Sequence, residues 1–132
     1  VRYADVLLMD AECLNEMEKQ SEAVALINQV RGRASVNMPG LNSGPAYLKA
    51  TTNDEGFARI RHDRVVELGC EGHSFSDMKR WGLLEELDGR VEKKLRGENF
   101  YTRKVTERDY LWPIPPNEID QNPLLKQNPG WD

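Results

Sequence analysis

The sequence predicts a mainly α-helical fold: a tetratricopeptide-like helix pair, further helices, and an irregular, proline-rich C-terminal tail. Apolar residues recur at helical spacing over residues 1–34, while turn-forming Asn, Gly and Pro interrupt the pattern over residues 35–52. Five of the seven prolines lie beyond residue 112, where they disfavour helix. We therefore divide the chain into a helix hairpin at 1–34, a loop at 35–52, a helical segment at 53–96 and a tail at 97–132.

The first helix is apolar on two sides, so we expect both sides to be covered by other elements. One face carries Tyr3, Leu7, Leu14 and Met17, and Val6, Met9 and Cys13 lie beside it, leaving a polar stripe of Asp5, Glu12 and Glu16. Asp10 lies within the apolar region and would need a cation or donors if buried.

The second helix is predicted from Ser21, as its N-cap, to Ala34. Two helices in this length approach the period of a tetratricopeptide unit, about 34 residues. Asp10 stands where that template has Leu, so a plain antiparallel helix hairpin remains an alternative.

The rest of the chain predicts weaker elements. Asn53 or Asp54 is expected to cap a third helix, and 84–95 has the spacing of a short helix broken at Gly89. In that helix Glu92 would pair with Arg96 at i,i+4. The tail beyond Gly97 is expected to be extended and turn-rich, held to the body by Ile119, Leu124 and Leu125.

Composition excludes several classes of protein. With 132 residues, 39% hydrophobic and 30% charged, the chain is the size of one globular domain and is neither disordered nor membrane-spanning. A net charge of -4 disfavours nucleic acid as a partner. Cys13 and Cys70 are too few for a disulfide scaffold, and neither lies in a zinc or redox motif.

The densest charged run lies at 61–73, and we interpret it as a structural ion-pair network. Its predicted members are Arg61, Arg64, Glu67, Glu71, Asp77 and Arg80, with Arg64 facing Glu67 and Asp77 facing Arg80 at i,i+3. Alternatives are a general base, Glu67 or Glu71, beside His73; a hydrolase site of Glu71, His73 and Asp77; or a metal site of His62, Glu67, Glu71 and His73. The spacing is not His-Glu-x-x-His and arginines are interleaved, so we predict no catalytic residue, metal or cofactor.

Exposed aromatic rings are the side chains that stack on sugars. Trp81 is predicted to lie in the core, and Trp112 and Trp131 to clamp the tail. Tyr47 and Tyr101 lie in predicted loops and are the remaining ligand-binding candidates.

Several motifs, in this order, resemble the C-terminal portion of SusD/RagB-type proteins. They are Arg2-Tyr3-Ala4-Asp5-Val6-Leu7-Leu8-Met9, Ala11-Glu12, Leu14-Asn15-Glu16, Arg61-His62-Asp63-Arg64, Glu67-Leu68, Glu71-Gly72-His73, Asp77-Met78-Lys79-Arg80-Trp81-Gly82, Leu111-Trp112-Pro113-Ile114-Pro115, Glu118-Ile119, Asn122-Pro123 and Gln127-Asn128-Pro129-Gly130. The match runs over nearly the whole chain.

The resemblance implies an outer-membrane lipoprotein of Bacteroidetes-type bacteria, built on tetratricopeptide-like helix pairs. Such a protein is not an enzyme; it captures a glycan or other nutrient and sits as a lid on a SusC-like TonB-dependent transporter. Family members are several times longer, so we expect the lipid anchor upstream of this chain and in neither Cys13 nor Cys70. We also expect this piece alone to self-associate. The alternative function is a freestanding tetratricopeptide-like module that binds a protein partner.

Overall fold

A computed structural model describes residues 1–93 and 97–131, which fold as two compact units, 1–74 and 75–132. The mainly α-helical class is confirmed. The first unit contains α1 (Tyr3–Glu16), α2 (Gln20–Arg31) and α3 (Asn53–Glu67), and α4 (His73–Arg80) begins at its end. The second unit continues α4 and contains β1 (Val91–Lys93), β2 (Asn99–Thr102) and α5 (Pro116–Gln121). No helix in the described residues is long and apolar enough to cross a membrane.

The turn between α1 and α2 covers residues 17–19, and the bounds of α2 differ from the predicted ones. Glu18 adopts a left-handed conformation, and the Lys19 N–H donates to the Leu14 carbonyl, which closes the end of α1. Helix α2 begins at Gln20, so the predicted N-cap Ser21 lies inside it. The helix ends at Arg31 and not at Ala34, because the Arg31 carbonyl accepts the N–H of Met38 as the chain turns back.

Among the described residues, α2 and α3 cover one face of helix α1, and the second apolar side is exposed. Its buried residues are Ala4, Asp5, Leu8, Ala11 and Asn15, which face α2 and α3. Large apolar residues remain exposed on the opposite side: Tyr3, Val6, Met9 and Met17. Asp10 is also exposed and needs no partner, whereas Asp5, assigned to the polar stripe, is the buried acid.

The loop that follows α2 supplies part of the core. Leu41, Leu48 and Ala50 are buried together with Leu8, Ile27 and Ile60 of the helices. A short 3-10 helix, Ala46–Leu48, turns Leu48 inward. This segment is therefore a packed part of the first unit as well as a connection.

Helix α3 begins one or two residues earlier than the two predicted N-cap positions imply. The Thr52 side chain accepts a hydrogen bond from the Glu55 N–H at 3.2 Å, which makes Thr52 the N-cap in place of Asn53 or Asp54. Asn53 instead lies in the first turn, where its side chain donates to the Asn15 carbonyl of α1 at 2.8 Å.

The predicted helix over 84–95 is wrong for residues 84–93, and its last two residues lie outside the described residues. A 3-10 helix, Leu84–Leu87, is followed by Gly89 with φ +70°, a left-handed conformation that ends the helical turn. The chain then enters β1, which pairs antiparallel with β2. Glu92 lies opposite Tyr101 in this ladder, while its predicted partner Arg96 lies outside the described residues.

The tail contains more regular structure than predicted. After β2 it forms a 3-10 helix, Glu107–Tyr110, and then α5, which has Pro116 in its first turn where the missing N–H costs no hydrogen bond. Ile119 and Leu125 are half-buried, but Leu124 is 89% exposed and does not hold the tail to the body.

Candidate functional site

The charged run of the first unit binds partners far away in the sequence. The Arg64 Nη1 donates to Asp5 Oδ1 at 3.0 Å, with both side chains buried, where the sequence predicted a pair between Arg64 and Glu67. Glu67 accepts from the guanidinium of Arg33 at 2.5 and 2.6 Å and also from Arg2. Arg2 also binds Glu71, because its Nε donates a hydrogen bond to Glu71 Oε1 at 2.9 Å. These contacts join the start of α1 and the end of α2 to the end of α3.

These arginines keep both carboxylates ionised. Burial alone raises the pKa of Glu67, but the hydrogen bonds from Arg33 and Arg2 outweigh it, so the pKa lies below its ordinary value. The hydrogen bond from Arg2 likewise lowers the pKa of Glu71. A general base at neutral pH needs a pKa nearer 7, so this environment suits structural pairing better than proton transfer.

A second buried pair lies nearby in the first unit. Arg31 Nη1 donates to both carboxylate oxygens of Asp63, at 2.8 and 3.0 Å, and its Nε donates to the Pro39 carbonyl at 2.8 Å. His62, one of the proposed metal ligands, has its Nδ1 3.1 Å from Asp63 Oδ1. Within the described residues, no three His, Cys, Asp or Glu side chains are grouped so that they could hold a metal ion.

The remaining predicted network residues have local partners. In the second unit the Arg80 Nε donates to Asp77 Oδ1 at 3.0 Å, the i,i+3 contact that their spacing indicates. Arg61 lies over the ring of Phe57 in α3, at 5.9 Å from its centroid. Sequence reasoning missed four members of these pairs: Arg2, Asp5, Arg31 and Arg33. Their partners are more than thirty residues away in the sequence, so no local spacing indicates them.

The two tyrosines predicted as ligand candidates lie in different units. Tyr47 is in the 3-10 helix of the first unit and is 65% exposed. Tyr101 is in β2, is 53% exposed, and lines a cavity of about 280 Å³ in the second unit.

Trp112 is the most exposed aromatic ring around this cavity. It is 72% exposed, which corrects the expectation that it clamps the tail. Phe75 lies 6.5 Å away, centroid to centroid, and Trp131 and Leu111 also line the cavity. A concave site with exposed aromatic faces is the kind of surface on which the apolar face of a sugar stacks.

Polar groups accompany the rings of the cavity. The Arg103 Nε donates to Glu92 Oε1 at 2.9 Å, on the residue that lies opposite Tyr101 in the strand ladder. Asp109 Oδ2 accepts the Thr106 N–H at 2.7 Å, and this backbone hydrogen bond lowers the pKa of Asp109. The cavity thus offers charged donors and acceptors, which suit hydroxyl-rich ligands.

Two of the motif runs bind each other and fix Trp112. The Asn128 Nδ2 donates to the Trp112 carbonyl at 2.6 Å. The Trp131 Nε1 donates to the Leu111 carbonyl at 2.9 Å, while Arg108 covers the Trp131 ring at 4.5 Å. Trp131 therefore holds the tail, as the sequence predicts, and leaves the Trp112 ring available to contact a ligand. Trp81, expected in the core, is half-buried beneath the guanidinium of Arg80.

The chain is similar to known proteins over nearly its whole length. The model of the SusD family matches residues 1–131. Two SusD-like proteins of Formosa agariphila are 32% and 37% identical, over 96% and 99% of this chain and 23% and 25% of their own length. The chain thus spans about a quarter of these relatives.

Solved structures agree in fold. A SusD-like protein from Bacteroides fragilis superposes with a TM-score of 0.79 at 28% identity, covering 98% of this chain and 25% of that one. A SusD superfamily protein from Bacteroides vulgatus gives a TM-score of 0.73 at 31% identity, covering 99% and 27%. Sequence, helix order and interlocked C-terminal motifs all lead to one assignment: the chain belongs to the SusD family.

Proposed function

We propose that this chain is part of a protein that binds a glycan or other nutrient without altering it and delivers it to a SusC-like TonB-dependent transporter. Membership of the SusD family supports a nutrient-binding role associated with the outer membrane. Because the chain covers about a quarter of its relatives, the activity proposed belongs to the whole gene product.

The observation that carries a ligand-binding role for this part of the protein is the exposed ring of Trp112 beside Tyr101 at one cavity. The hydrogen bond from Asn128 holds the backbone of Trp112, which reduces the conformational freedom that ligand binding would have to restrict. We place a sugar ring of the ligand in this cavity.

A non-enzymatic role is supported by the environment of the carboxylates that a hydrolase would use. Glu67 and Glu71 are held by arginines that lower their pKa values. In the second unit Asp77 is bound to Arg80. We therefore propose binding and transfer, without a chemical step, cofactor or metal.

The proposed location is the outer membrane, reached through a lipid anchor on an N-terminal segment upstream of this chain. Both cysteines of the chain are exposed, but Cys13 lies within α1 and Cys70 within the turn after α3, inside the folded first unit. Metabolic labelling of the gene product with a radioactive fatty acid tests this: label should remain when Cys13 and Cys70 are both replaced by Ser.

A freestanding interaction module remains the second candidate because of one feature, the exposed apolar face of α1. A pull-down with the intact gene product separates the two. Recovery of a TonB-dependent transporter supports the first proposal, and recovery of other proteins alone supports the second.

Glycan-array binding followed by calorimetry tests the ligand site in the full-length gene product. We expect Trp112→Ala to reduce affinity for the bound glycan at least tenfold and Tyr101→Ala to reduce it less. Tyr3→Ala is the matched control, since Tyr3 is an exposed tyrosine of the first unit. Unchanged affinity in Trp112→Ala would remove the cavity from the proposal, and loss in Tyr47→Ala would move the site to the loop of the first unit.

A further inference from the structure

Basic side chains flank the aromatic surface of the second unit. The Lys79 Nζ lies 5.3 Å from the centroid of the Trp112 ring and 6.0 Å from that of Phe75. Arg103 and Lys104 line the cavity itself. Three cationic groups are therefore associated with one small concave site.

The two carboxylates of the cavity are already engaged by other groups. Glu92 accepts from the Nε of Arg103, and Asp109 accepts from the N–H and the hydroxyl of Thr106 at 2.7 and 3.1 Å. Asp109 lies close enough to Arg108 and Lys79 for its negative charge to interact with both positive charges. These acids thus offset part of the positive charge but leave an excess of one cation among Glu92, Asp109 and the three basic residues.

Two of the cations retain donor groups for a ligand. The Nε of Arg103 donates to Glu92. The two amino nitrogens of Arg103 have no hydrogen-bond partner within residues 1–93 and 97–131. Lys79 contacts aromatic rings, and no salt bridge joins it to any residue in those same ranges. A guanidinium edge and an ammonium group beside an aromatic face match a ring that carries an anionic substituent.

We propose that this cavity selects an acidic sugar. The apolar face of the ring stacks on Trp112, and a carboxylate or sulfate group pairs with Lys79 and Arg103. The inference rests on the proposed glycan-binding function and adds the class of glycan to it. A charge-assisted hydrogen bond in a partly desolvated site changes affinity by about tenfold or more, which is enough to separate acidic from neutral sugars.

The test uses the full-length gene product and matched oligosaccharides in calorimetry. One pair is oligogalacturonate and its methyl ester, in which each carboxylate becomes an uncharged ester with one added methyl group. The other pair is an ι-carrageenan oligosaccharide and its desulfated form, which tests sulfate. We expect at least one acidic form to bind about tenfold more tightly than its neutral partner, with affinity that falls as salt is raised.

Variants separate the inference from the function on which it rests. Lys79→Met and Arg103→Met should each lower the affinity for the acidic form by a larger factor than the affinity for the neutral form, and so remove most of the preference. Lys126→Met, on an exposed lysine of the tail, is the control. Equal binding of acidic and neutral forms, lost in Trp112→Ala, would overturn the inference while keeping the sugar site. Binding of no member of either pair, or binding that survives Trp112→Ala, would overturn the site together with the inference.

Discussion

The side-chain amide of Gln127 binds both backbone groups of Ile114. Its Oε1 accepts the Ile114 N–H at 2.7 Å, and its Nε2 donates to the Ile114 carbonyl at 2.9 Å. The amide thus makes the two backbone hydrogen bonds that a neighbouring strand would make to Ile114, which lies between Pro113 and Pro115. Asn28 and Asn42 do the same for Leu41 and Ala50 in the first unit.

The substitution Gln127→Glu should destabilise the second unit by about 1–3 kcal/mol, because the new oxygen faces the Ile114 carbonyl and has no proton to donate. All three tryptophans lie in this unit, so urea unfolding followed by tryptophan fluorescence reports on it. At acid pH the introduced carboxyl becomes protonated and can donate again. The difference in unfolding free energy between the variant and the parent should then decrease. Gln121→Glu, on an exposed glutamine of α5, is the control, and an equal loss in both variants would refute the role of the amide.

Gly56 permits the close approach of α3 to α1. A Cβ at this position would lie 2.0 Å from Asn15 Oδ1, an oxygen that is buried and accepts no hydrogen bond from the described residues. Gly56→Ala should therefore destabilise the first unit strongly, by about 2–4 kcal/mol, as far-ultraviolet circular dichroism in urea would measure.

The matched background for this substitution is Asn15→Ala, which removes the obstructing amide. In that background Gly56→Ala should become neutral or stabilising by up to about 1 kcal/mol, because Ala favours helix over Gly. If Gly56→Ala cost the same in both backgrounds, contact with Asn15 would not be the reason for the glycine.

The buried pair of Arg31 and Asp63 should be costly to break. Asp63→Asn keeps the size of the side chain but leaves the charge of Arg31 buried without a counter-ion, for an expected loss of about 3–5 kcal/mol in the first unit. Urea unfolding measures this loss of stability. The control is Asp10→Asn, at an exposed position of α1. A loss below about 1 kcal/mol would show that the pair contributes little.

Acid should destabilise the first unit. Glu67 and Glu71 have pKa values below the ordinary 4.5, so the unfolded chain takes up protons before the folded chain does. Their contribution is present above pH 4.5 and is lost as pH falls through the lower folded-state values. Glu55 adds to the same trend, since the Thr51 N–H lowers its pKa.

Unfolding in urea between pH 7 and pH 3 measures this dependence. Glu67→Gln should lower stability at pH 7 and flatten the decline between pH 5 and pH 3, relative to Glu16→Gln at an exposed position. An identical decline in the parent and in Glu67→Gln would show that this carboxylate does not carry the effect.

Local sequence patterns predicted the helices whose apolar spacing is regular. The helical spacing predicted α1, α2 and α3 to within a few residues, and the motifs predicted the family. The pattern failed at 84–93, because the pairing of Val91–Lys93 with β2 overrides the local helical spacing.

The site was less accessible from sequence for the same physical reason. The position of the Trp112 ring depends on two residues further along the chain. Asn128 donates to the Trp112 carbonyl and Trp131 donates to the Leu111 carbonyl, while the Trp112 ring stays exposed. Likewise Arg64 donates to Asp5, which lies 59 residues away in the sequence. Long-range partners of this kind carry no spacing signal.

The exposed face of α1 should make the 132-residue chain associate with itself in isolation. Tyr3, Val6, Met9 and Met17 lie on the side of the helix that faces away from α2 and α3, and contiguous apolar surface of this kind favours contact with another apolar surface. Light scattering after size exclusion should show a mass that rises with concentration, and Val6→Glu should shift it toward the monomer because burying the new charge opposes association. Ala25→Glu, on the exposed side of α2, controls for the added charge. A stable monomer at high concentration in the parent chain would mean that this face does not drive association.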